Sequence, residues 1–141
     1  MTSQPFDPSI LEDPYPYQRH LGFEFADWRE GYARLELPLY PHLMNRYGIP
    51  HGGVHAALLD TAMGFSGCYT GDPDNKQLAM TLSMNVNYEG QAKGTKLICE
   101  GHRTGGGAKT YFASALVTDD LGTRIASGTG VFRIRSETRI K

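Results

Sequence analysis

The chain has 141 residues, of which 40% are hydrophobic and 21% charged, with a formal net charge of −1. This describes one ordinary soluble domain and leaves too little length for two. Its 14 lysines and arginines are scattered, so nucleic acid is not an expected partner. Cys68 and Cys99 are too few for a disulfide framework and too far apart for a zinc knuckle, so buried thiols in a reducing compartment are expected.

Residues 1–20 carry Pro5, Pro8, Pro14 and Pro16 among Phe6, Tyr15 and Tyr17. They read as an N-terminal arm, packed over the edge of a domain spanning 21–141 and ending in a short helix over residues 17–20. Residues 1–5 have neither a charged n-region nor an apolar h-region, so export is not expected and a cytoplasmic location is. Residues 23–28 and 32–37 are rich in aromatic and aliphatic side chains and flank Glu30 and Gly31, which predicts two antiparallel strands. Residues 40–50 form a loop with room for one helical turn at 42–44. From 54 to 68 almost every residue is apolar or small on all faces, the pattern of a helix buried on every side. Asp60, His55 and the small residues count against a membrane span here.

Turn formers at 71–75 close the helix. Leu78, Met80, Leu82, Met84, Val86 and Tyr88 then alternate with Ala79, Thr81, Ser83, Asn85 and Asn87, which predicts a strand with one apolar face on a core and one polar face. Three more strands are expected at 96–103, 109–118 and 123–135, joined through Gly105 to Gly107 and through Asp119 to Gly122. Two strands, a long helix and four strands make an α+β domain in which a single antiparallel sheet wraps around a long central helix.

Chemistry concentrates around the helix. Asp60 is the sole acidic or basic residue between His55 and Asp72, and a mid-helix carboxylate in apolar surroundings is costly without a partner or a purpose. At the helix start, Gly52 and Gly53 follow His51. Glycines there allow close approach of a ligand to the backbone, and a helix's first turn offers unpaired N–H groups and a partial positive charge. An oxyanion site and a carboxylate together suit acyl transfer or hydrolysis. Eight residues of helix place Asp60 roughly 12 Å along the axis from Gly52 and about 80° round from it. One chain therefore cannot bring both to one carbonyl, and a site across a two-fold interface, each chain lending one half, is expected.

The order of elements and the motif Asn45-x-x-Gly48-x-x-His51-Gly52-Gly53-x6-Asp60 resemble the hotdog-fold thioesterases of the phenylacetate-degradation (PaaI-like) group, over about residues 20–135. The resemblance implies hydrolysis of acyl-coenzyme A thioesters by homodimers or pairs of dimers, with no metal or organic cofactor, coenzyme A being part of the substrate. It further implies that Gly52 N–H polarises the thioester carbonyl. Asp60 of the facing subunit attacks that carbonyl or deprotonates water, Asn45 and His51 hold the carbonyl or the water, and Thr81 bonds near the carboxylate. The Gly105 to Gly107 run is longer than the turn expected of the group and would alter the mouth of the coenzyme groove.

Arg103, Lys109 and Arg124 lie at strand ends or turns where the phosphates of coenzyme A could be met. Met63, Phe65, Met80 and Met84 are candidates to line the acyl pocket, and they would admit aromatic or short to medium-chain groups alike. Two other readings on the same fold are a non-catalytic acyl-CoA sensor and a hydratase or dehydratase. His51 as a cap on its own helix, Asn45 as a turn residue and His55 as an interface residue are the structural alternatives at those positions.

Overall fold

A computed structural model describes residues 6–136; the export reading rests on residues 1–5 and lies outside them. A 3-10 turn at Pro8–Ile10 and a short helix α1 (Pro16–Leu21) precede strands β1 (Glu24–Arg29) and β2 (Tyr32–Pro38). Another 3-10 turn at Pro41–Leu43 leads into the long helix α2 (Gly52–Ser66), and β3 (Gln77–Tyr88), β4 (Lys96–Gly106), β5 (Thr110–Asp119) and β6 (Arg124–Ser136) follow. All pairings are antiparallel, in the order β1-β2-β4-β5-β6-β3. The chain thus crosses the sheet through α2 to place β3 on the far edge, beside β6. This is the single antiparallel sheet over one long helix that the order of elements predicts, and the hotdog arrangement that the resemblance implies.

The helix is covered on one side. Val54, His55, Leu58, Leu59, Ala62, Met63 and Ser66 are buried, a spacing that forms one stripe down a helix, and the apolar ones among them share the core with Leu35, Leu37, Leu97, Cys99 and Val117. Ala56, Ala57, Asp60, Thr61 and Gly64 are half-buried. In a single chain, then, α2 is not enclosed on every side as its composition predicts. Apolar residues beyond those that meet the sheet occupy a flank still open to another surface.

Helix and sheet approach most closely at Gly101, where a β-carbon would stand 2.5 Å from the backbone of Ala62. Backbone cannot yield as a side-chain tip does. Gly101→Ala is therefore expected to cost about 1–3 kcal/mol, read as a fall in Tm of roughly 5–10 °C.

A correction concerns β3. Its pairing with β6 is interrupted by a bulge between Thr81 and Ser83, and an extra residue in one strand reverses which side chains face inward. Before the bulge Ala79 and Thr81 sit opposite Ile134 and Phe132; after it Met84 and Val86 sit opposite Gly130 and Gly128. The apolar set is thereby split. Met84 and Val86 pack on the core with Ala79, whereas Met80 and Leu82 are 49% and 58% exposed. Thr81, expected on the polar outer face with Ser83, Asn85 and Asn87, turns to the helix side instead.

The end of the sheet beside the start of α2 is held by two carboxylates. Asp119 accepts the N–H groups of Lys93 and Gly94 on one oxygen and those of Leu121 and Thr123 on the other. Asp120 accepts from Thr95. Burial would raise the Asp119 carboxyl, but the N–H groups of Lys93, Thr123 and Gly94 outweigh it and hold the group well below its usual value of 3.8. The hydroxyl and N–H of Thr95 lower Asp120 likewise. Groups with depressed native values stabilise the fold fully above the unfolded value and lose that contribution as pH falls toward the native one. Thermal unfolding between pH 2 and 7 should therefore show Tm dropping below about pH 4. In Asp119→Asn this acid slope should shrink, with Tm already lower at neutral pH by roughly 5 °C.

Candidate active site

The loop before α2 is built to present the helix start. Asn45 Oδ1 accepts the N–H of Tyr47 at 2.8 Å and that of Ile49 at 3.4 Å, while its backbone exchanges bonds with Ile49 and Gly48. Gly48 takes φ 77°, a conformation open to glycine at little cost. Asn45 thus holds its own turn, and its amide nitrogen has no acceptor among the described residues. The turn delivers His51, whose N–H bonds Leu43 O at 2.9 Å, to the cap position of α2 in an extended conformation.

His51 Nδ1 accepts the Gly53 N–H at 2.8 Å. The ring is therefore a cap, and the bond fixes its tautomer: the proton sits on Nε2, which remains a donor on the outer side. It also means that the Gly53 N–H is already used. The Gly52 N–H has no acceptor among the described residues, which leaves it as the helix's outward donor. The Gly52 carbonyl accepts from the Tyr88 hydroxyl at 2.9 Å, so the last residue of β3 pins this first turn in place. Tyr88 was not singled out from the sequence, where it reads as one more apolar residue of a strand.

About two turns along the helix, Thr81 Oγ1 donates to Asp60 Oδ1 at 2.5 Å. The bulge in β3 makes this contact, since without it Thr81 would face away from the helix. One carboxylate oxygen is thereby oriented, and Oδ2 is left to act. Asp60 borders a cavity of about 210 Å³ whose wall includes Tyr15, Trp28, Phe65, Cys68, Thr81 and Phe132. Trp28 Nε1 donates to Phe65 O at 2.8 Å, which fixes the indole against the ring it meets edge-on. Cys68 is no nucleophile: burial pushes its thiol up to about 11, and only the thiolate reacts. Of the expected pocket residues Phe65 is in this wall, whereas Met63 is fully buried in the core and Met80 lies on the outer face.

His55, one turn after His51, is 6% exposed, and its Nδ1 has no hydrogen-bond partner among the described residues. Burial lowers its pKa, which keeps the ring neutral. It stands 6.3 Å from the Tyr88 ring.

Arg103 and Lys109 flank one turn, between β4 and β5, and Arg124 lies at the other end of β5. Arg103 donates to Gly107 O at 2.9 Å and lies over the Tyr111 ring, and Lys109 is exposed just before β5. Arg124 pairs with Glu89 at 2.7 Å, opposite Thr118. Lys109 and Arg124 are thus roughly 25 Å apart along β5, so one chain cannot use both on one phosphate group.

Within the chain the two candidate groups stay separate. Tyr88, which marks Gly52, and Thr81, which marks Asp60, lie at different points along β3, roughly 20 Å apart.

No protein-family model matches the chain. Among curated relatives, a protein of Halobacterium salinarum is 29% identical over 122 residues, covering 81% of this chain and 81% of its own. One of Archaeoglobus fulgidus is 28% identical over 130 residues, covering 87% and 81%. Both carry the name "Putative esterase". Among solved structures, a conserved protein of Pseudomonas aeruginosa superposes with a TM-score of 0.76 at 26% identity, covering 86% of this chain and 94% of that one. A protein described as from the thioesterase superfamily gives 0.74 at 27%, covering 86% and 90%. The PaaI protein of the Escherichia coli phenylacetic acid degradation operon gives 0.73 at 17%, covering 85% of each, a likeness of fold.

Proposed function

We propose, on the premise that this chain is a hotdog-fold protein of the thioesterase type, that it hydrolyses acyl-coenzyme A thioesters to the free acid and coenzyme A in sites shared by two subunits. The observation that carries this reading is the position of the two half-sites along one open strand. Among the described residues β3 pairs with β6 on one side and with nothing on the other, and Leu82 and Tyr88 on it are each 58% exposed. Such an edge is a template for another strand. A second copy paired antiparallel across it, with the two-fold axis near residues 84 and 85, sets Thr81 and Asp60 of one chain opposite Tyr88 and Gly52 of the other. The same contact covers the open flank of α2. A homodimer is the expected unit, and pairs of dimers form through other surfaces.

In this site the Gly52 N–H donates to the thioester oxygen and stabilises the negative charge that grows there. Oδ2 of the facing Asp60 attacks the carbonyl carbon directly, or takes a proton from the water that does. In the first case collapse of the tetrahedral centre breaks the carbon–sulfur bond and leaves a mixed anhydride on Asp60, which water then hydrolyses to the free acid and the restored carboxylate while the thiolate takes a proton from solvent; in the second, collapse gives the free acid directly and Asp60 returns the proton it took to the departing thiolate. Thr81 aims the carboxylate, and His51 Nε2–H is a second donor at the mouth, with the Asn45 amide beside it. No metal or organic cofactor enters these steps. A dry apolar cavity of about 150 Å³ holds a benzene ring, so about 210 Å³ suits a ring with a short linker or a short straight chain.

Thiol release from a panel of acyl-CoAs, followed with Ellman's reagent, tests the proposal. Turnover of aryl or short-chain substrates is expected; ligand-induced stabilisation without thiol release would instead mark a binding protein. Sedimentation should show a dimer or a multiple of it.

A further inference from the structure

The cavity beside Asp60 is closed on one side by a segment that no part of the catalytic scheme uses. Ile10, Glu12 and Tyr15, from the stretch before α1, share its wall with Asp60 and Thr81. Tyr15 is held there from several directions. Its ring meets Phe23 edge-on at 6.2 Å and packs on the core. Pro14 and Pro16 flank it in sequence, and a residue before proline is confined to extended backbone; Tyr15 has φ −80° and ψ 166°. Little conformational entropy remains for it to lose when a ligand packs against it. Glu12 reaches across to Lys76, at 3.6 Å, just before β3, so the arm is tied to the strand that carries Thr81.

We propose that Tyr15, positioned by this proline-braced arm, forms the arm-side wall of the acyl cavity and limits the size of the acyl group the site accepts. The inference rests on reading the cavity beside Asp60 as the acyl site. Its consequence is a size limit imposed by the arm, distinct from the groups that perform the reaction.

Trp28 is the sole tryptophan of the sequence and lies in the same wall, so its fluorescence reports occupancy without turnover. Straight-chain carboxylates from butyrate to dodecanoate, titrated against the full chain, give affinity as a function of length. In the parent the gain per methylene should stop at the wall. In Tyr15→Ala the ratio of decanoate to butyrate affinity should rise at least tenfold, since each further methylene taken out of water is worth about fourfold. Tyr15→Phe keeps the ring and should keep the parent's ratio. Tyr15→Leu, which preserves a core contact, serves if the alanine variant fails to fold, with a rise of at least fourfold expected.

An unchanged ratio in the shortened variants, or no quenching by any carboxylate in the parent, overturns the proposal. Length-dependent quenching without thiol release from any acyl-CoA would remove the thioesterase reading and leave the wall in place. Hydrolysis with an unchanged length profile would do the reverse.

Discussion

Asp60→Asn is expected to lower thiol release from acyl-CoA by at least about 10²-fold, whether the carboxylate attacks or acts as base. Asn cannot take a proton, nor can its amide attack as a carboxylate does. It still offers an oxygen to the Thr81 hydroxyl, which now bonds Oδ1 at 2.5 Å, so Tm and sedimentation should match the parent's. The loss should appear in kcat with little change in KM, as for a group that acts in the transition state. Parental turnover by a well-folded Asp60→Asn dimer would remove the carboxylate from the mechanism.

Gly52→Pro deletes the other half. Proline has no N–H, and Gly52 is the first helical residue, where proline is best tolerated. His51 before it is already extended at φ −63° and ψ 139°, as a residue preceding proline must be. The nearest obstacle to the new ring is the Tyr88 side chain, 3.2 Å from a β-carbon at this position; Tyr88 is more than half exposed and has room to shift. Loss of one oxyanion donor is expected to cost about 10²–10³-fold in kcat.

The two variants together make a sharper test. Mixed one to one and allowed to exchange subunits, Gly52→Pro and Asp60→Asn chains form about half mixed dimers. Each mixed dimer holds one site with an intact Gly52 from one chain and an intact Asp60 from the other. About a quarter of parental activity should therefore return. If both groups served a site within one chain, the mixture would stay as inactive as its components.

How much of this was legible in the residues varies with the range of the forces involved. The helix follows from local composition, expected over 54–68 and found at Gly52–Ser66, and His51 as its cap is one of the two readings the residues leave open. The strands from β4 to β6 follow from alternation between turn formers, although β4 runs on to Gly106, past the expected end, through an irregularity between Arg103 and Gly105. The separation of Gly52 from Asp60 follows from helix rise alone. Thr81 was placed near the carboxylate by resemblance, but its face was misjudged. A two-residue alternation carries no mark of a bulge, which arises where β3 meets β6, and those strands are far apart in the chain.

The sequence by itself determined the order of elements, the solitary carboxylate in an apolar helix and the donor-rich turn before it, because each depends on neighbours within a few residues. Only the tertiary structure decided that Thr81 faces inward while Tyr88 braces Gly52, that the arm carries Tyr15 into the cavity wall, and that Arg124 is spent on Glu89. Those outcomes depend on which distant segments meet, and the energies of such meetings are set by register and packing across the sheet.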